Sequence, residues 1–330
     1  MNQTLPLVIR GTGSYVPSEV LDNAFFARYL DTTDEWIVER TGIRERRRCA
    51  PHESTSTLAA EAARRALAQA RLSPAELDLI VVCTATPDTV FPSTACFVQA
   101  DIGAANIPAF DLGAACSGLV YGLVVAASML QSPGFRNILV VGAEALTRFV
   151  DYDDRATCIL FGDAAGAVVV SRSDDPSRGI HYWNLGADGA AAKQIWLPAG
   201  GSRHPASTTT INEKLHFIRM RGREVYKFAV VKMQAEIDQA LDRTGVSAEQ
   251  LKLVIPHQSN LRIIESARSK LGLPPQKVVV NIDRYGNTSA ASIGMALDEA
   301  YRAGTIQPGD WVLLVAFGAG LTWGTILLRA

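Results

Sequence analysis

The chain has 330 residues, enough for two domains of ordinary size or one large one. Its 32 lysines and arginines against 33 aspartates and glutamates leave a formal net charge of -1, which excludes the strongly basic field of a dedicated nucleic-acid binder. Hydrophobic residues at 48% and charged residues at 20% exclude wholesale disorder and fit a globular chain with a sizeable core.

At the amino terminus there is no basic run, and Arg10 interrupts the first apolar stretch before it reaches signal-peptide length. Five cysteines without a CxxC pair argue against a disulfide scaffold or a zinc site, so the expectation is a reduced, cytoplasmic chain without a metal. Residues 44–48, Arg-Glu-Arg-Arg-Arg, read as a solvated charge run. Residues 112–135 and 311–328 are uncharged and approach membrane-spanning length. Ser132-Pro133-Gly134 breaks the first and Gly318-Ala319-Gly320 the second, so both read as buried elements of an α/β protein.

The chain also repeats itself. Ser73-Pro74-Ala75-Glu76-Leu77 resembles Ser247-Ala248-Glu249-Gln250-Leu251, an offset of 174 from Ser73 to Ser247. Ala66-Leu67 matches Ala240-Leu241, and Ile138-Leu139-Val140-Val141 matches Val312-Leu313-Leu314-Val315, at the same offset. The repeated unit reads as helix, short helical turn, buried strand, turn, long apolar helix, buried strand. Two similar α/β halves, 1–172 and 173–330, each with five apolar strands, are the expectation, with residues 187–214 an irregular insertion in the second.

In the first half, Ala114-Ala115-Cys116-Ser117-Gly118 lies between a strand end and an apolar helix, the setting of a strand-turn-helix elbow that exposes a nucleophile. Unpaired amides and the helix dipole there would lower the thiol pKa. A small buried hydrophobe is the plain alternative, preferred for Cys83, Cys96 and Cys158. In the second half, His257 follows the repeated strand where it should reach the same sheet edge as Cys116, although a lone histidine is more often structural. Asn287, in the duplicated counterpart of the Cys116 turn, reads as a turn or cap residue or as an amide donor aimed into a shared cleft. Gly318-Ala319-Gly320 ends the last repeated strand and permits close backbone approach to a ligand.

Together, Asp111-Leu112-Gly113-Ala114-Ala115-Cys116-Ser117-Gly118, His257-Gln258-Ser259-Asn260, Gly286-Asn287-Thr288-Ser289-Ala290-Ala291-Ser292 and the Gly318 loop resemble the thiolase-fold condensing enzymes. The Cys, His, Asn set is closest to the β-ketoacyl-acyl-carrier-protein synthase III family. That resemblance implies a thiolase-like α/β fold in a layered αβαβα arrangement and a homodimer without a cofactor. It implies catalytic Cys116, His257 and Asn287, with the amides of Cys116 and Ala319 as an oxyanion hole. Trp36, Arg40, Arg155 and Gly222 match positions that hold coenzyme A. Phe317 and Phe91 match acyl-pocket positions, Phe91 from across a dimer interface. Lys227, Arg262, Arg268 and Lys270 match a docking patch for an acidic carrier protein. Two positions depart from the family pattern: Gly222-Arg223 stands where some members have Gly-Asn, and Ala319 replaces the middle glycine of a triple-glycine loop.

The activity implied is decarboxylative Claisen condensation of a short acyl-coenzyme A with malonyl-acyl carrier protein through an acyl-cysteine, initiating fatty-acid synthesis. A related condensing or acyl-transferring enzyme of secondary metabolism and a Cys-His-Asn thioester hydrolase are the alternatives. Neither nucleic acid nor membrane is an expected partner.

Overall fold

The structure is a computed structural model that describes residues 4–330. Nine strands among these residues form one connected sheet: β1 (Leu5–Tyr15), β2 (Leu79–Cys83), β3 (Ala109–Leu112), β4 (Asn137–Glu144), β5 (Ala164–Arg172), β6 (Gly179–Ala187), β7 (Leu251–Pro256), β8 (Trp311–Gly318) and β9 (Thr322–Arg329). Their order is β7-β8-β9-β6-β1-β5-β4-β2-β3. β1 joins two subsheets: Leu5 and Pro6 pair with Ile180 and Gly179, whereas Leu7 to Tyr15 pair with β5, with a register shift at Arg10.

The halves share one strand order, β1-β5-β4-β2 in the first and β6-β9-β8-β7 in the second. Within each set of four the last pair, β4 with β2 or β8 with β7, is parallel and the other neighbours are antiparallel, and β2 also pairs parallel with β3. The duplication is incomplete at the edge: β3 is a paired strand, but its counterpart is reduced to an isolated bridge between Val254 and Val278. The second half therefore has four strands rather than the expected five.

Seven helices build the layers: α1 (Asp34–Thr41), α2 (Thr55–Ala70), α3 (Thr94–Ile102), α4 (Gly118–Met129), α5 (Gly222–Thr244), α6 (Leu261–Lys270) and α7 (Ala291–Arg302). The strands are apolar on both faces, and the two-residue period divides them between cores. Val81, Val140 and Val168 with Leu253, Val312 and Leu314 face a central core shared with Leu119, Leu123 and Val124 of α4 and Ile293 and Leu297 of α7. The intervening Ile80, Val82, Leu139 and Val141 face α2 and α3, whereas Leu313, Val315 and Phe317 face α5 and α6. This is the expected αβαβα sequence of layers. Residues 112–135 and 311–328 supply its centre, and no helix among the described residues is long and apolar enough to cross a membrane.

The repeated Ser-x-x-Glu/Gln segments are capping boxes: the Ser73 amide donates to Glu76 Oε2 at 2.8 Å and the Ser247 amide to Gln250 Oε1 at 2.8 Å, each launching a buried strand. Two departures from the sequence reading stand out. Arg46 lies fully buried in a strand paired with residues 19–22, its guanidinium donating to Leu21 O, Asn23 Oδ1 and Ile159 O and covering the Phe26 ring. Three carbonyl-type acceptors and an aromatic face offset part of its desolvation, which still lowers its pKa to about 10, and a pattern of charges could not reveal this. Residues 187–214 contain a helical turn, the strand Ile195–Trp196 paired with Arg219–Met220, and the helix Thr208–Asn212.

Candidate active site

The two halves place symmetric turns against each other. β3 leads through a turn at Ala115–Ser117 into α4, and Ala115 has a left-handed backbone, φ 46°. Its partner 174 residues on, Ser289, has φ 47° and leads into α7. Neither residue is glycine, so surrounding structure must hold this conformation. Gly142 permits the close approach: a Cβ there would lie 2.1 Å from Ala290 O.

Cys116, His257, Asn287, Phe317, Ala319 and Gly222 line one cavity, whose remaining wall is largely apolar and includes Leu146, Phe161 and Ile218. Ile195, Trp196 and Leu197 line it too, so the insertion is part of the site. Burial reverses the expected effect on the nucleophile: the Cys116 thiol is pushed up to about 12, desolvation outweighing its hydrogen bond with Ser289. Glu144 adds an unfavourable negative charge nearby. The helix end alone does not produce a standing thiolate.

His257 follows β7, its amide donating to Val315 O at 2.8 Å. The ring is buried, packs edge-on to Phe317 at 5.6 Å and has Nδ1 2.8 Å from Ser292 Oγ. Desolvation lowers its pKa to about 3, so it is neutral near pH 7. Asn287 is held by backbone bonds to Leu160 O at 2.8 Å and from the Gly162 amide at 3.1 Å. Its Oδ1 accepts from the Ser289 amide at 2.9 Å, which leaves the Nδ2 donor for the cavity.

In the Gly318-Ala319-Gly320 loop the demand for glycine falls on the flanks. A Cβ on Gly318 would meet the Cys116 amide nitrogen at 2.7 Å, and Gly320 has φ 138°. Ala319 is outside the left-handed region, so its departure from the family pattern introduces no backbone strain. Thr322 Oγ1 ties the loop to the nucleophile turn, donating within 3.1 Å to Ala114 O and Ala319 O.

Trp36, Arg40 and Arg155 lie together beside the cavity rather than on its wall. Both guanidinium carbons are 4.7 Å from the Trp36 ring centroid, and Arg40 O accepts from cavity-lining Asn260 at 2.9 Å. Phe91 is 84% exposed beside Val90 at 83% and lies outside its own chain's cavity. Arg262 covers Tyr226, a cavity residue adjacent in sequence to exposed Lys227, at 5.8 Å. The Arg268 guanidinium pairs with Glu265 at 2.7 Å and with Leu273 O at 2.8 Å. Lys270, eight residues past Arg262, lies about 12 Å along α6 by helical rise.

Four hydroxyl- or carboxyl-bearing residues at the site escaped the sequence reading: Glu144, Ser259, Ser289 and Ser292. Ser259 stands in the His257 segment and Ser289 and Ser292 in the Asn287 segment, and the offset of 174 from Ala115 is the sequence signal for Ser289. Glu144 ends an apolar strand and carried none. No cluster of three or more His, Cys, Asp or Glu among the described residues is arranged to hold a metal ion.

Two family models match the chain: "3-Oxoacyl-[acyl-carrier-protein (ACP)] synthase III" over residues 110–189 and its C-terminal counterpart over residues 241–330. The β-ketoacyl-acyl-carrier-protein synthase III of Caldanaerobacter subterraneus subsp. tengcongensis is 52% identical over 321 residues, 97% of each chain. That of Symbiobacterium thermophilum is 50% identical over 324 residues, 98% of each. The crystal structure of the Aquifex aeolicus VF5 synthase III superposes with a TM-score of 0.90 at 48% identity, covering 98% of this chain and all of the other.

Proposed function

The chain belongs to the 3-oxoacyl-acyl-carrier-protein synthase III family, and on that premise we propose that Cys116, His257 and Asn287 carry out the initiating condensation of fatty-acid synthesis. The observation that supports this assignment is the convergence of one nucleophile from the first half and two neutral donors from the second on a single, largely apolar cavity. The halves divide at residues 172 and 173, so neither contains the site alone.

In the first half-reaction the Cys116 sulfur attacks the thioester carbon of a short acyl-coenzyme A. The amides of Cys116 and Ala319 receive the developing oxyanion, and loss of coenzyme A leaves an acyl-enzyme. Trp36, Arg40, Arg155 and Gly222 bind the coenzyme A end, the indole and guanidinium faces suiting adenine and the arginines its phosphates. Phe317, with Phe91 of a second copy, bounds the acyl chain in a homodimer.

In the second half-reaction a malonyl group arrives on acyl carrier protein, guided by Lys227 and Arg262. His257 and Asn287 donate to its thioester carbonyl. Ser292 is assigned as donor to His257 Nδ1, which places the ring proton on Nε2, toward the cavity. Decarboxylation leaves an enolate stabilised by these two donors, and its carbon attacks acyl-Cys116. The same tautomer disfavours hydrolysis, because a ring with its free nitrogen tied to Ser292 cannot activate water.

Intact-mass measurement after adding acyl-coenzyme A, followed by malonyl-carrier protein, tests the proposal. An adduct on Cys116 consumed to a β-ketoacyl product is expected. Free acid in place of the product would mean hydrolysis, and absence of the adduct would remove the nucleophile assignment.

A further inference from the structure

The acylation step needs somewhere to put the Cys116 proton. His257 is neutral, and with Ser292, 2.8 Å away, assigned as donor to Nδ1 its cavity-facing nitrogen carries a hydrogen and offers no acceptor to the thiol. Another buried group is joined to the sulfur. Ser289 lines the same cavity as Cys116 and pairs with its thiol, and because its single Oγ proton goes to Glu144 Oε1 at 2.9 Å the hydroxyl meets the thiol as acceptor. Glu144 is fully buried at the end of β4 and also accepts from Thr86 Oγ1 at 2.8 Å, the Ala85 amide at 3.1 and 3.2 Å, and Thr84 Oγ1 at 3.3 Å. Such a dense donor set holds a carboxylate in one orientation, with Oε1 on Ser289. Residues of two turns and both halves converge to make the chain from sulfur to hydroxyl to carboxylate.

We propose that Ser289 and Glu144 relay the Cys116 proton: the thiol proton passes to Ser289 Oγ as the Ser289 proton passes to Glu144 Oε1. The sulfur keeps the electron pair of the broken S–H bond and forms the new C–S bond with the acyl carbon. The coenzyme A sulfur leaves with the old C–S pair and takes a proton from solvent. When the enolate later displaces Cys116 from the acyl group, the proton held on Glu144 returns through Ser289 to the thiolate, which closes the cycle. Glu144 reaches the sulfur only through Ser289 and is a positioning residue. Two thiols face it, Cys116 on the nucleophile turn and Cys83 on β2, with the Asp111 carboxylate of β3 beyond Cys83. Burial raises the Glu144 pKa, which brings its proton affinity closer to that of the thiol.

The relay rests on Cys116 being the nucleophile, and the experiment separates the two. Acylation of wild-type, Ser289→Ala and Glu144→Gln proteins by a short acyl-coenzyme A is followed by rapid quench and intact mass across pH 6 to 9, and malonyl-thioester decarboxylation is measured beside it. Alanine fits at 289 because Ala115 already adopts the same backbone conformation in the twin turn. Acylation should fall about 10²-fold or more in both variants, and decarboxylation should stay within about threefold of wild type. The wild-type acylation rate should be flat once Glu144 is ionised, whereas the Ser289→Ala rate should climb about tenfold per pH unit toward the raised thiol pKa. Unchanged acylation with an unchanged pH profile would overturn the relay. So would equal loss of both half-reactions, which marks a structural role. A wild-type protein that forms no adduct on Cys116 would overturn the nucleophile and the relay with it.

Discussion

At the residue scale the site depends on groups kept neutral by burial. Substituting Cys116→Ser should abolish the acyl adduct seen by intact mass, because an alcohol in the same pocket is a far weaker acid than the thiol. For His257→Ala, malonyl decarboxylation should drop about 10²-fold or more with acylation largely retained, and parallel rate measurements of the two steps check it. The same histidine gives a stability signature. Its pKa of about 3 lies below the unfolded value of 6.5, so near neutral pH folding pays nothing for its charge. As pH falls from 6.5 toward 3 the unfolded chain binds a proton that the folded chain does not, and stability is lost at about 1.4 kcal/mol per unit. Urea titrations of wild type and His257→Gln at pH 7 and 5 should show the wild type losing more stability by that slope. Ala319→Gly should leave turnover near wild type, since residue 319 needs no left-handed backbone. Gly320→Ala should impair it, with Thr322 Cγ2 only 2.6 Å from the added carbon.

Among the elements, α7 shows how glycine sets the site. A Cβ on Gly294 would lie 2.8 to 2.9 Å from Gly166 backbone atoms, so α7 crosses β5 backbone to backbone. Gly294→Ala has opposing terms: about 1 kcal/mol gained from helix propensity against about 1–3 kcal/mol from overpacking. The obstructing atoms are backbone and cannot rotate aside, so overpacking should win and thermal denaturation should give a lower Tm. A Tm at or above wild type would contradict the close crossing. Because α7 begins directly after Asn287 and Ser289, the same change should reduce turnover.

For the whole molecule the questions are the second copy and the carrier protein. Val90 and Phe91 form an exposed apolar loop edge, suited to cover by another chain. Light scattering should find a dimer, and Phe91→Asp should weaken it and lower acylation together. Lys227→Glu with Arg262→Glu should raise the KM for malonyl-carrier protein about tenfold at low salt, with little effect on acylation by acyl-coenzyme A. Arg268→Glu should not have this effect, because its guanidinium is already committed to Glu265 and Leu273 O.

The order of elements was legible in the linear chain. A capping box before a buried strand and an apolar helix after a small-residue turn are local features, and their recurrence at one offset announced two halves. The Cys116, His257, Asn287 and Gly318 segments were legible for the same reason, each being a short run at a strand end. Other features required the folded molecule. Arg46 is buried because Leu21, Asn23 and Ile159, far apart in the chain, supply its acceptors. The Cys116 thiol is raised because desolvation by walls from both halves exceeds what its own helix end contributes. Glu144 meets Ser289 across 145 positions of sequence. Local pattern determines which elements form and in what order, whereas proton affinities and polar partners depend on what the tertiary fold brings within about 3 Å.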